Sequence, residues 1–151
     1  WGMAPQKVTR PVEVEVRDCR FTQAVVGMIE GQTLRITNQD AAVYRLLHPS
    51  GRGHATGKIE AGQVFALADL GIGSHWVGLD YFEGLHLRVV PHPYFSVSDP
   101  SGEFDLPLIP PGSYTVTAWH PRLGTREKLV SVLAGHHTEI DFEFGPGDLR
   151  R

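Results

Sequence analysis

The sequence predicts an all-β chain: two small Greek-key β-sandwich domains in tandem. Three observations lead there. Helical periodicity is almost absent, period-two alternation of apolar and polar residues runs through most of the chain, and Gly/Pro turn clusters punctuate it at short intervals. Composition agrees: of 151 residues, 41% are hydrophobic and 21% charged, as in an ordinary globular protein.

The strands follow in chain order. In "VEVEVR" (12–17), Val12, Val14 and Val16 face one way and Glu13 and Glu15 the other. "TLRITN" repeats the pattern with Leu34 and Ile36. "QVFALAD" sets Val64, Ala66 and Ala68 against Phe65 and Leu67. "LHLRVV" sets Leu85, Leu87 and Val89 against His86 and Arg88. Turns separate these runs at Glu30-Gly31-Gln32, Glu60-Ala61-Gly62 and Gly71-Ile72-Gly73.

The second half is more regular. "YFSVSD" leads into the turn Pro100-Ser101-Gly102 and then "EFDL". In "SYTVTAWH", Tyr114, Val116 and Ala118 oppose Thr115, Thr117 and Trp119. "KLVSVL" and the turn "AGHH" come next. In "TEIDFEF", Ile140, Phe142 and Phe144 alternate with Glu139, Asp141 and Glu143, the pattern of a half-buried antiparallel strand. The tail "GPGDLRR" has no apolar anchor and is expected to fray. Pro91-His92-Pro93 removes two amide donors and marks the expected seam, giving a first domain over 1–90 and a second over 91–151.

Several function classes lose support at this stage. A net charge of −3 with scattered signs leaves no basic stripe for nucleic acid. No apolar run reaches the roughly 18–20 residues that span a bilayer, so the chain has no transmembrane segment of its own. Cys19 is the single cysteine, which excludes an internal disulfide and any CxxC pair. Neither a nucleophile motif nor a phosphate loop is present, so nothing supports an enzyme. Trp1 in place of Met fits removal of an export signal, or a fragment.

The stretch from Pro93 to Phe144 resembles the carboxypeptidase regulatory-like domain, a transthyretin-like sandwich. It shares the DxxGxF turn (Asp99, Gly102, Phe104), "PPGSYTV" and the pair Trp119-His120. That resemblance implies a spacer or interaction module without catalysis. The first half resembles the plastocyanin-like cupredoxin domain, through "DCRFTQAVVGMIEGQTLRITNQD" and the junction "HPYFSVSD". Such pairs are typically exported, and several accompany methylamine-utilisation or other respiratory systems.

A cupredoxin copper site needs two imidazoles, a thiolate and usually a weak axial thioether. By the resemblance, these places fall at Tyr44, Val77, Asp80 and Glu83, within a residue or so. No cysteine follows Cys19, so no small shift restores the set. Cys19 itself reads as a structural core cysteine. Type 1 copper is therefore not expected, nor any other cofactor.

The alternative is copper or zinc on nitrogen and oxygen donors from "HWVGLDYFEGLH": His75, His86, Asp80 and Glu83, with His48 and His54 added from the preceding loop. Against it, eight histidines scatter by composition alone, and the pairs His48-Pro49, His92-Pro93 and His120-Pro121 look like turns. Trp76, Tyr81 and Phe82, with His48 and His54, form a candidate protein-docking surface on the loops at 75–86 and 48–57.

The expected function is that of a non-catalytic, exported accessory subunit of a larger periplasmic or cell-surface assembly. It would have protein partners and could associate with a membrane complex. The alternatives are an electron-transfer or metal-binding cupredoxin with an atypical site, and a carbohydrate- or envelope-binding module using Trp119.

Overall fold

The computed structural model describes residues 10–80, 82–106 and 108–148. Its β-strands are β1 (Val12–Arg17), β2 (Arg20–Phe21), β3 (Val25–Ile29), β4 (Leu34–Asn38), β5 (Tyr44–Ser50), β6 (Gly53–Ile59), β7 (Val64–Leu67), β8 (Gly73–Leu79), β9 (Phe82–Val90), β10 (Gly112–His120) and β11 (Gly124–Val132). A short 3₁₀ turn, Pro146–Asp148, is the one helical element among the described residues. No helix there is long and apolar enough to cross a membrane. The class is the expected one, an all-β sandwich.

Two compact units divide the chain, one ending at Asp105 and the other starting at Leu106. In the first, a four-stranded sheet β2-β1-β4-β7 faces a five-stranded sheet β3-β9-β8-β5-β6. The pairs β1/β4 and β3/β9 are parallel, and the other ladders are antiparallel. Between the sheets lie Val14, Val16, Leu34 and Ile36 from one side and Met28, Leu46, Val77, Leu85 and Leu87 from the other, all buried. Val14, Val16, Leu34, Ile36, Leu85 and Leu87 are residues the alternation picked out, while Met28, Leu46 and Val77 are not; each contributes about 1.5–3 kcal/mol of burial. On the wet side of β1 and β4, Glu13 pairs with Arg35 at 3.4 Å and Glu15 with Arg17 at 3.0 Å. Exposed pairs of this kind contribute little. In β7 the inward set is Phe65 and Leu67, while Val64 and Ala66 face out.

The expected seam at Pro91 and the observed division differ. Residues 91–105 stay with the first unit because the chain folds back onto β3: a Cβ at Gly27 would lie 2.5 Å from the Phe95 ring. His92 does act as a turn residue, its Nδ1 accepting the Tyr94 N–H at 3.2 Å. The turn at Asp99 forms as its motif requires. Asp99 Oδ1 accepts from the Ser101 hydroxyl (2.6 Å) and the Ser101 and Glu103 amides (2.9 Å each), with Gly102 at φ +88°.

The second unit contains one antiparallel ladder, β10/β11, in register from Gly112↔Val132 to His120↔Gly124. His120 Nδ1 caps its turn by accepting the Arg122 and Leu123 amides at 3.1 Å. Ile140, Phe142 and Phe144 are half-buried and their acidic neighbours exposed, as the alternation predicts. They hold to the hairpin through side chains rather than a ladder. Arg126 and Lys128 lie 5.5 Å from the Phe144 and Phe142 rings, and Lys128 Nζ donates to the Asp141 carbonyl. The expected strands over "YFSVSD", "EFDL" and "TEIDFEF" form no ladder among the described residues.

Candidate functional site

The clearest constellation of polar groups gathers around Tyr44, at the place the cupredoxin resemblance gives to the first histidine ligand. Asn38 builds it. This is the one fully buried polar residue among those described. Its Nδ2 donates to the Ala42 carbonyl (2.7 Å) and the Ile59 carbonyl (3.2 Å), and its Oδ1 accepts the Asp40 N–H (3.0 Å). A buried amide with every hydrogen bond made holds its loop rigidly. The loop carries Asp40 and delivers Tyr44 to the start of β5.

Asp40 then closes the opposite hairpin. Asp18 and Cys19 form a two-residue turn between β1 and β2, with φ +53° and +64°. Positive φ at both positions is the type I′ geometry that suits a tight hairpin, though it is costly for residues other than glycine. The Asp40 carboxylate offsets that cost by accepting the Asp18 and Cys19 amides at 3.0 Å each. Tyr44, only 4% exposed, donates its hydroxyl to Asp40 Oδ2 at 2.7 Å and also sits 3.3 Å from Cys19 Sγ.

The electrostatics follow from these bonds. The Cys19 amide first, then the Tyr44 hydroxyl, the Asp18 amide and the charge of Arg17 hold the Asp40 carboxyl below its usual range, against a smaller opposing effect of burial. Hydrogen bonds to Cys19 and Asp40, with burial, keep the Tyr44 proton in place far above the ordinary value. Tyr44 is therefore a fixed donor and Asp40 a carboxylate that already accepts three bonds. The cluster is built to lock a loop to a turn. Cys19 is exposed in that turn rather than packed in the core as expected. The signal that locates it is Asp-Cys placed between two alternating runs at hairpin spacing; the resemblance uses Asp40 only as the end of the Asn38-Gln39-Asp40 motif from which the Tyr44 place is counted and implies no role for its carboxylate.

Val77 is fully buried in the sandwich core, so its place presents a methyl surface. Asp80, at φ +47°, brackets β5: its Oδ1 accepts the Arg45 N–H at 3.1 Å, and its own N–H donates to the Arg45 carbonyl at 2.9 Å. Tyr81, and the side chains of Phe82 and Glu83, lie outside the described residues. The described places thus hold a tyrosine with an engaged hydroxyl, a valine and a carboxylate bound to backbone. With no thiolate or imidazole among them, they do not fit a type 1 copper ion.

Among the described residues, the alternative donor set is not brought together either. Across β8 and β9, His75 pairs with Leu87 and Trp76 with His86. Directly opposed residues share a face and successive ones alternate, so His75 lies on the inner face and His86 on the outer. His75 Nε2 is occupied by the Gly71 carbonyl at 2.6 Å. At about 3.3 Å per residue, Asp80 lies roughly 15 Å further along the strand. His48 faces inward, 4.9 Å from the Phe65 ring, while His54 is exposed on β6. No group of three or more metal-ligating side chains occurs among the described residues.

The expected docking surface also separates. β5 and β8 run antiparallel with Leu46 opposite Leu79, so the β5–β6 tip at 51–52 and the C-terminal end of β8 at Leu79 lie at opposite ends of the sheet. Trp76 instead lies flat on the outer face. A Cβ at Gly78 would come within 2.4 Å of its ring, and one at Gly84 within 2.4 Å of its Nε1. Trp119 is half-buried in β10, opposite Thr125.

No protein-family profile and no curated protein sequence matches the chain. Solved structures similar to it are cupredoxin-type. An oxidized amicyanin mutant is 14% identical with a TM-score of 0.48, covering 53% of this chain and 82% of that one. A second oxidized amicyanin mutant, also 14% identical at 0.48, covers 58% and 89%. A Cu(I) form of a third is 17% identical at 0.46. Scores below 0.5 at such identities lend nothing to this chain's residues or chemistry.

Proposed function

We propose that this chain is a non-catalytic, exported interaction subunit of a larger periplasmic or cell-surface assembly. In this reading a cupredoxin-like domain without a copper ligand set precedes a carboxypeptidase-regulatory-like module. The polar cluster at Tyr44 supports a structural role for the site, since its donors and acceptors are used internally.

One observation carries the interaction role. In β11, Leu129 is 85% exposed, and Leu133 just after it is 63% exposed. Leu129 opposes Thr115, on the face away from Val116 and Lys128, and so away from Phe142. Large apolar side chains left in water on a two-stranded ladder mark a surface that a partner covers. The unpaired strand edges offer backbone donors and acceptors to the same partner.

The test replaces Leu129 and Leu133 together by glutamate in the full chain and compares what co-purifies from the native envelope fraction. The expected result is loss of the wild-type partners with an unchanged circular dichroism spectrum. An identical set of co-purifying proteins would remove the proposal.

A further inference from the structure

The outer face of the five-stranded sheet holds a combination that folding alone does not explain. Arg45 and Lys58 sit directly opposite each other in the β5/β6 ladder, both pointing away from the core. Like charges in that arrangement oppose strand pairing. Asp80 pairs with Arg45, 3.8 Å from its Nε, and the Arg45 side chain remains 64% exposed. Two positions along the same face come Leu47 and Thr56, and a shallow depression of about 200 Å³ is lined by Arg45, Leu46, Leu47, Thr56 and Asp80. Leu47 in turn opposes Gly78, on which the Trp76 ring lies.

We propose that this face binds an anionic saccharide, a uronate oligomer. A sugar carboxylate sits between Arg45 and Lys58, and a neighbouring ring stacks on Trp76. Each part has a chemical reason. A carboxylate relieves the repulsion between the two cations and accepts charge-assisted hydrogen bonds from both. The half-buried indole is seated on the glycine backbone of Gly78 and Gly84, and its remaining surface suits the C–H face of a pyranose. Thr56 and the second oxygen of Asp80 supply a donor and an acceptor for hydroxyls between these anchors. Two residues along β5 and one strand across amount to about 8 Å, the reach of a di- or trisaccharide rather than a single sugar. A peptide of acidic residues alone would satisfy the cations but would bring no ring to the indole.

Calorimetric titration of the full chain with trigalacturonate tests this, with maltotriose and triglutamate as comparisons. The expected result is binding of trigalacturonate at least tenfold tighter than either comparison. Lys58→Gln should weaken it at least tenfold and Trp76→Phe several-fold. Because Lys58 opposes a like charge, Lys58→Gln should melt no lower than wild type, which separates lost binding from lost folding. No heat at millimolar trigalacturonate, equal affinity for triglutamate, or Lys58→Gln binding like wild type would overturn the proposal. These outcomes are independent of the envelope co-purification experiment, whose variants lie in the second unit.

Discussion

Tyr44 shows how one side chain can act as a structural clamp. Its hydroxyl joins a loop (Asp40) to a hairpin turn (Cys19), and the ring is buried in the core. Tyr44→Phe keeps the ring and removes the donor, so urea denaturation should show a loss of about 1 kcal/mol. The pH dependence has a definite sign. Tyr44 has a raised proton affinity when folded, so its contribution is complete below the unfolded value near 10 and lost as pH rises above it. The alkaline fall in stability should therefore be shallower in Tyr44→Phe. Asp40 works in the other direction. Its folded pKa is lowered, so its contribution is present above the ordinary value near 3.8 and disappears as pH falls through the folded one. Melting temperatures between pH 2 and 6, a range set around that carboxylate value, should fall less steeply in Asp40→Asn than in wild type. Parallel profiles in either comparison would show that these bonds are not made in solution. None of this network was legible in the sequence. Its members are separated by up to 25 positions, and their alternation signals only which faces are wet.

Among elements, β8 and β9 carry the most unusual packing. Gly78 and Gly84 form the floor on which Trp76 lies, and at Gly84 an added methyl would also meet the Val77 carbonyl at 2.3 Å. Backbone cannot move aside as a side chain can. Gly84→Ala should therefore cost about 2–3 kcal/mol by chemical denaturation. Gly78→Ala meets only the indole, at 2.4 Å, so its cost should largely vanish in a Trp76→Ala background. A cost at Gly78 that stays the same in both backgrounds would show that the ring rests elsewhere. The existence and facing of strands were readable here: Leu85, Leu87 and Val89 point inward as their alternation says. Trp76 was not readable. An aromatic in an apolar run looks like core, and only Gly78 two residues on and Gly84 on the neighbouring strand reveal an outer seat. His75 and His86 misled for a related reason. Eleven positions apart with a turn between, they look convergent, but the ladder puts them on opposite faces.

The whole molecule combines a two-sheet unit, of whose core the alternating pattern specified the residues of β1, β4 and β9, with a second unit of one hairpin flanked by half-buried aromatics. Pro91-His92-Pro93 did end β9, as two missing amide donors require, but the compact unit continues to Asp105 because Phe95 packs over Gly27. A boundary of that kind depends on where a chain returns, which local composition does not encode. The lasting contrast is between the copper-ligand places that the sequence resemblance gives to Tyr44 and Val77 and what those residues do here: Tyr44 is tied by hydrogen bonds to Asp40 and Cys19, and Val77 is buried in the core. The most direct test is titration of the full chain, purified without chelators, with Cu(II) and then a reductant, read by visible absorption and elemental analysis. An engaged tyrosine hydroxyl and a buried valine in place of imidazole and thiolate predict substoichiometric copper and no intense thiolate-to-copper band. One tightly held copper per chain with such a band, lost on Cys19→Ser, would contradict it.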